Sequence, residues 1–85
     1  MSESFELAKK NIRKKDYPEF EGEFEEILRR ICELEEAYRA EAEEYDEDDA
    51  VEYITDTLTQ ELSLSEDEDV AAAALADEYM EFLEE

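Results

Sequence analysis

Any chemistry in this chain of 85 residues would fall to carboxylates, for it carries 30 Asp and Glu, a single cysteine, five tyrosines and no histidine. The commonest general base and the commonest metal ligand are therefore both missing. Cys32 alone can form neither an internal disulfide nor a zinc site, and its place beside an apolar helical stripe, with Arg29 close in sequence, fits a small core residue better than a reactive thiol. Asp46 with Asp48, and Asp67 with Asp69, have the alternate-acid spacing of a calcium loop. Neither pair is followed by the glycine that makes such a loop turn, nor by the remaining ligands. Paired carboxylates perform acid-base work when one of them sits in an apolar pocket, and a chain of net charge -22 gives no sign of a substrate cleft. The sequence predicts a protein that is not an enzyme and that uses no metal or cofactor.

The elements that would position these acids follow from spacing rather than from composition. Leu, Ile, Val and Phe supply 18 of 85 residues, just above the roughly 20% below which a highly charged chain stays unfolded. Phe20, Phe24, Ile27, Ile31, Leu34 and Tyr38 recur at steps of 4, 3, 4, 3 and 4. That is a heptad seam, which Leu28 and Cys32 widen toward the face of a globular core. One Gly and one Pro leave little to break helices and nothing to build hairpin turns. The expected fold is all-α, a single domain built as a small bundle of about four helices with a highly acidic surface and with room for a homodimer. It divides into a basic first helix within 1–16, a long mixed-charge helix within 17–45 and base-free acidic helices within 46–85.

Local signals place the boundaries. The first helix is expected over 4–15, and its thin stripe of Phe5, Ala8 and Ile12 predicts an outer-layer helix that a second subunit could cover. Pro18 suits the first turn of the second helix, while Gly22, which costs about 1 kcal/mol inside a helix, moves the start toward Glu23. Asp48 or Asp49 is expected to cap a third helix that buries Val51, Ile54, Leu58 and Leu62 and ends before Ser63. Ser65 with Glu68 is a capping box, opening a fourth helix over 66–84 that packs Val70, Ala73, Leu75, Ala76, Tyr79, Met80 and Leu83. The pairs Glu25 with Arg29, Glu26 with Arg30 and Glu35 with Arg39 stand four apart, each worth a few tenths of a kcal/mol.

Charge is divided almost completely along the chain. Up to Arg39 there are 11 acids and 8 bases, a net of -3; from Ala40 onward there are 19 acids and no base, a net of -19. Large single-sign fields destabilise the compact state by self-repulsion, so a surface that served only solubility would mix both signs. Proteins that bind nucleic acid are the partners best suited to a long negative surface, because their affinity rests on Lys and Arg contacts to phosphates. Acids three or four residues apart on a helix are separated by about 5 to 6 Å, comparable to phosphates along a strand. The candidate row is Glu41, Glu44, Asp48, Asp49, Glu52 and Asp56, continued on the fourth helix by Glu66, Asp67, Asp69, Asp77, Glu78, Glu81, Glu84 and Glu85. Tyr45, Tyr53 and Tyr79 lie among these acids and are candidate interface aromatics, although a structural tyrosine is the commoner case. The basic cluster Lys9, Lys10, Arg13, Lys14 and Lys15 is expected to neutralise acids of the third or fourth helix, or of a second subunit.

The acid-rich end of the chain, Asp77, Glu78, Tyr79, Met80, Glu81, Phe82, Leu83, Glu84 and Glu85, resembles that of phage DNA-mimic inhibitors of the anti-restriction type. The resemblance covers nine residues and implies an inhibitor that occupies the basic DNA groove of a host defence enzyme, of restriction or CRISPR type. Its partner would be a basic DNA- or RNA-binding protein, with no direct contact to nucleic acid or membrane. Two other readings remain open: an acidic helical adaptor or oligomerisation module using the heptad seam, and a salt-adapted protein of other function. Against the latter, Glu outnumbers Asp by 22 to 8 and lysines are retained. No run approaches the roughly 20 apolar residues of a membrane span, and MSESFELAKK lacks the apolar core of a secretory signal. The expected setting is the cytoplasm, that of the host cell for a phage-encoded protein.

Overall fold

A computed structural model describes residues 3–84, which form helices α1 (Glu3–Asn11), α2 (Phe24–Glu41), α3 (Glu47–Leu62) and α4 (Glu66–Glu84). Two single 3-10 turns, Lys14–Asp16 and Pro18–Phe20, lie between α1 and α2, and no strand occurs among the described residues. The all-α bundle expected from the seam is what forms. Its packing is cyclic: α1 lies on α2, α2 on α3, α3 on α4, and α4 returns to α1 and to the turn at Pro18–Phe20. No helix among the described residues is long and apolar enough to cross a membrane.

The seam of α2 is filled by the chain itself. Phe20, Phe24, Ile27, Ile31 and Leu34 are all buried, as are Leu28 and Cys32 beside them. The heptad is thus not left open as an intermolecular zipper. Opposite it stand Ile54 and Leu58 from α3 and Leu75, Ala76, Tyr79 and Met80 from α4, in one continuous core. Ala71 and Ala72 are buried in the same cluster, where small side chains let α4 approach its neighbours closely.

Several local expectations are corrected. α1 is no outer layer, since Phe5, Ala8 and Ile12 are buried to 3%, 0% and 3% exposure. It also stops at Asn11, four residues short of the expected end, with the Asn11 amide donating to the Leu7 carbonyl at 2.7 Å. The reason is that its stripe runs out: the next helical positions are Lys15 and Asp16, whereas turning the chain delivers Tyr17 and Phe20 to the core. Pro18 opens a 3-10 turn rather than α2, and Gly22, at a φ of 86° that other residues rarely adopt, redirects the chain into α2.

The cap of α3 is Asp46, not Asp48 or Asp49. Its side chain accepts from the backbone N–H groups of Asp48 at 2.9 Å and Asp49 at 3.3 Å. Glu47, Asp48 and Asp49 then occupy the first turn, where the helix dipole offsets their mutual repulsion. Ser63 ends α3 in the left-handed region, φ 52°, and the Ser65–Glu68 capping box forms reciprocally, at 3.1 and 3.4 Å. Leu62 and Val70, expected in the core, are 49% and 65% exposed.

Candidate partner-binding surface

The acids after Arg39 do not form one row. On α3, Asp49, Glu52 and Asp56 are exposed at steps of 3 and 4, with Tyr53 among them and Asp48 beside Asp49. Steps of this size keep side chains on one face at about 5 to 6 Å spacing. Glu41, the last residue of α2, and Glu44, in the linker, are also exposed. None of these six acids makes an ion pair among the described residues. On α4, Glu66 and Asp67 are exposed at one end, and Asp77 and Glu81 toward the other. Between them the outward positions are Val70 and Ala74, so the acids of α4 stand as two groups about 15 Å apart along the axis.

Two candidates have structural duties. Asp69 is half-buried and accepts from the Thr59 hydroxyl at 2.5 Å, joining α4 to α3. Glu78 is half-buried and accepts a short hydrogen bond from the Tyr17 hydroxyl, tying α4 to the segment before α2. Burial first, and Glu78 second, raise the Tyr17 pKa well above that of an ordinary phenol. Glu84 ends α4, and the placement of its side chain lies outside what is described, as does Glu85 altogether.

The three tyrosines separate. Tyr79 is 1% exposed and belongs to the core, so it offers nothing to a partner. Tyr45 and Tyr53 are 44% and 39% exposed, and both meet Tyr38, which the seam pattern marks as core. The Tyr38 and Tyr45 rings pack edge to face at 5.6 Å, and Tyr38 and Tyr53 lie 5.9 Å apart. The result is an aromatic trio at the junction of α2, the linker and α3, within the same stretch as Glu41, Glu44, Asp49 and Glu52.

The trio is anchored by a residue that the spacing of acids did not single out. Glu35 is 1% exposed, and its carboxylate accepts from the Tyr45 hydroxyl at 2.9 Å and from the Arg39 guanidinium at 2.7 Å. The Tyr45 hydroxyl also lies 3.2 Å from the Met80 sulfur, and its ring lies under Arg39 at 5.4 Å. Burial, reinforced by the hydrogen bond to Glu35, pushes the Tyr45 phenol up to about 12. A signal was present: Glu35 follows Leu28, Ile31 and Cys32 at seven, four and three residues, which puts it inside the apolar stripe.

The bases are also deployed differently from the sequence expectation. Of the three four-apart pairs, only Glu35 with Arg39 forms. Arg30 instead grips Glu61 of α3 through two hydrogen bonds, 2.9 and 2.6 Å, and touches Glu33. That hydrogen bond holds the Glu61 carboxyl below the usual carboxylate range. Lys9 pairs with Glu25 of α2 at 3.0 Å, and Arg29 lies over the Phe5 ring at 5.3 Å. Lys10, Arg13, Lys14 and Lys15 make no ion pair among the described residues, so the basic cluster does not neutralise α3 or α4 within the molecule. No three acid or cysteine side chains among the described residues are grouped to hold a metal ion. Comparison with protein families, characterised proteins and solved structures finds no match to this chain.

Proposed function

We propose that this protein is a nucleic-acid mimic, an inhibitor that occupies the basic DNA-binding groove of another protein, of which a restriction or CRISPR-type defence enzyme is the case implied by the resemblance of residues 77–85. The observation that carries the reading is the α2–α3 junction, where Glu41, Glu44, Asp48, Asp49, Glu52 and Asp56 are exposed without countercharge beside the half-exposed rings of Tyr45 and Tyr53. Closely spaced carboxylates on a rigid helix present to a cationic groove what phosphates would present. The tyrosines add contact area at little entropic cost. Because the field is spread over many groups, it acts on encounter and orientation more than through any single anchor. The partner is a basic DNA- or RNA-binding protein, met in the cytoplasm of the host cell.

The test is affinity capture from cell lysate at 0.1 M and 0.5 M salt, followed by competition against duplex DNA for the captured protein. The Debye length falls from about 10 Å to about 4 Å over that range. A DNA-binding protein that is released by the higher salt and by duplex DNA supports mimicry. Reversing Asp49, Glu52 and Asp56 together to lysine should then abolish capture with helicity unchanged, while each single reversal costs little. A partner that survives 0.5 M salt and ignores DNA would refute the proposal.

A further inference from the structure

The opposite end of the charge distribution carries a second surface. Lys10, Arg13, Lys14 and Lys15, with the paired Lys9 and Glu25, line a concavity of about 620 Å³ between the end of α1 and the start of α2. Its floor is apolar, formed by Ile12 and Phe24. Lysines at a helix C-terminus ordinarily answer the dipole, but Arg13, Lys14 and Lys15 lie beyond the end of α1. Four cations around one hollow, without an ion pair among the described residues, repel one another in a molecule that carries 19 acids from Ala40 onward. An anionic occupant resolves that arrangement.

Which anion is decided by distance. At 0.01 M salt the Debye length, about 30 Å, rivals the molecule's extents of 34 × 26 × 19 Å, so every acid repels an anion approaching the hollow. At 0.15 M it is about 8 Å, and the lining cations dominate at contact. A duplex, with a charge every 1.7 Å or so of its axis, would extend past the hollow and meet the acids of the other helices. A compact group of several charges stays within reach of the cations alone, and the planar guanidinium of Arg13 suits bidentate contact with phosphate oxygens.

We propose that the Lys10–Lys15 concavity binds a compact polyphosphate group, free or carried by a nucleotide. The site is independent of the mimic reading, whose acids lie on the α2–α3 junction and α4. The experiment is titration calorimetry of the whole protein with inorganic tripolyphosphate at 0.01, 0.15 and 1 M NaCl without divalent cations, with ATP and a 12-base-pair duplex run in parallel. One saturable site is expected, with affinity passing through a maximum and about tenfold higher at 0.15 M than at either extreme, as repulsion is screened first and attraction later. The double variant Arg13→Glu with Lys14→Glu, both exposed and outside the four α-helices, should weaken binding at least about tenfold with an unchanged circular dichroism spectrum. ATP binding tighter than tripolyphosphate assigns a nucleotide that uses the apolar floor, and equal affinity assigns free polyphosphate. No saturable binding at millimolar tripolyphosphate in 0.15 M salt, affinity falling steadily from 0.01 M, an unaffected double variant, or tighter binding of the duplex would each overturn the proposal.

Discussion

Glu35 offers a way to separate what a buried carboxylate does from what it costs. Its side chain is 2% exposed, whereas that of Arg39, which meets it at 2.7 Å, is 56% exposed. Tyr45, the other partner, is 44% exposed, so both partners can turn to water if the carboxylate is lost. Glu35→Ala removes one buried methylene, about 0.8 kcal/mol, plus a cavity and the net contribution of two charge-assisted hydrogen bonds, for a total loss of about 2 to 3 kcal/mol. Glu35→Gln keeps the volume and an acceptor for Tyr45 while giving up a largely screened pairing with Arg39, about 0.5 to 1 kcal/mol. Glu35→Leu fills the space without a charge to desolvate and should be neutral or slightly stabilising. In a domain of this size 1 kcal/mol moves Tm by about 4 to 8 °C, so thermal denaturation followed by circular dichroism should rank the variants Leu, wild type, Gln, Ala, with alanine lower by about 10 to 20 °C. If Glu35→Leu fell as far as Glu35→Ala, the interior would require the charge itself, and the reasoning from partner exposure would be wrong.

Two further outcomes are expected. The Thr55 hydroxyl is buried without a hydrogen-bond partner among the described residues, so Thr55→Val should raise stability by about 1 kcal/mol; a lower urea midpoint would mean that the hydroxyl is satisfied. Burial and a carboxylate neighbour raise the phenols of Tyr17 and Tyr45, the latter to about 12 from an ordinary 10. A raised folded-state pKa gives stability that is full below the unfolded value of about 10 and is lost as pH climbs through about 12 and beyond. Urea midpoints should therefore drop between pH 9 and pH 12, less so in the Tyr17→Phe, Tyr45→Phe double variant, and an equal drop in both proteins would contradict this origin.

What could be read from the sequence was whatever short-range periodicity decides. The α2 seam and the Ser65–Glu68 box were legible because each depends on residues three to seven apart. The α3 cap was not, because Asp46, Asp48 and Asp49 are equally competent caps and the choice depends on where the linker is pinned, which Tyr45 does through Glu35. Glu35 itself was hidden by its chemistry: a pattern that sorts charged residues outward reads it as half of a surface pair, although its position in the stripe is that of a core residue. Leu62 and Val70 mislead in the reverse sense, since an apolar residue was assigned to the core by its type, whereas Val70 shares the outward face of α4 with Ala74 and Leu62 sits exposed in the last turn of α3. Of the candidate surface, the acids were visible and their interruption on α4 was not, because Val70 and Ala74 were assigned inward or left unassigned.

Of the cross-links described above, Arg30 to Glu61 and Tyr17 to Glu78 run from the base-bearing half of the molecule to the acidic one, Tyr45 reaches back to Glu35, and Thr59 to Asp69 lies within the hairpin. No base lies in α3 or α4 to hold those two helices together. During synthesis, α1 and α2 leave the ribosome first and the acidic hairpin last. The early segment is therefore expected to act as a template, its apolar seam and its few committed cations meeting a hairpin whose self-repulsion opposes compaction until it docks. On that expectation folding order follows the order of charge along the chain, and a permuted gene in which the acidic hairpin is translated first should accumulate soluble but unstructured nascent chains.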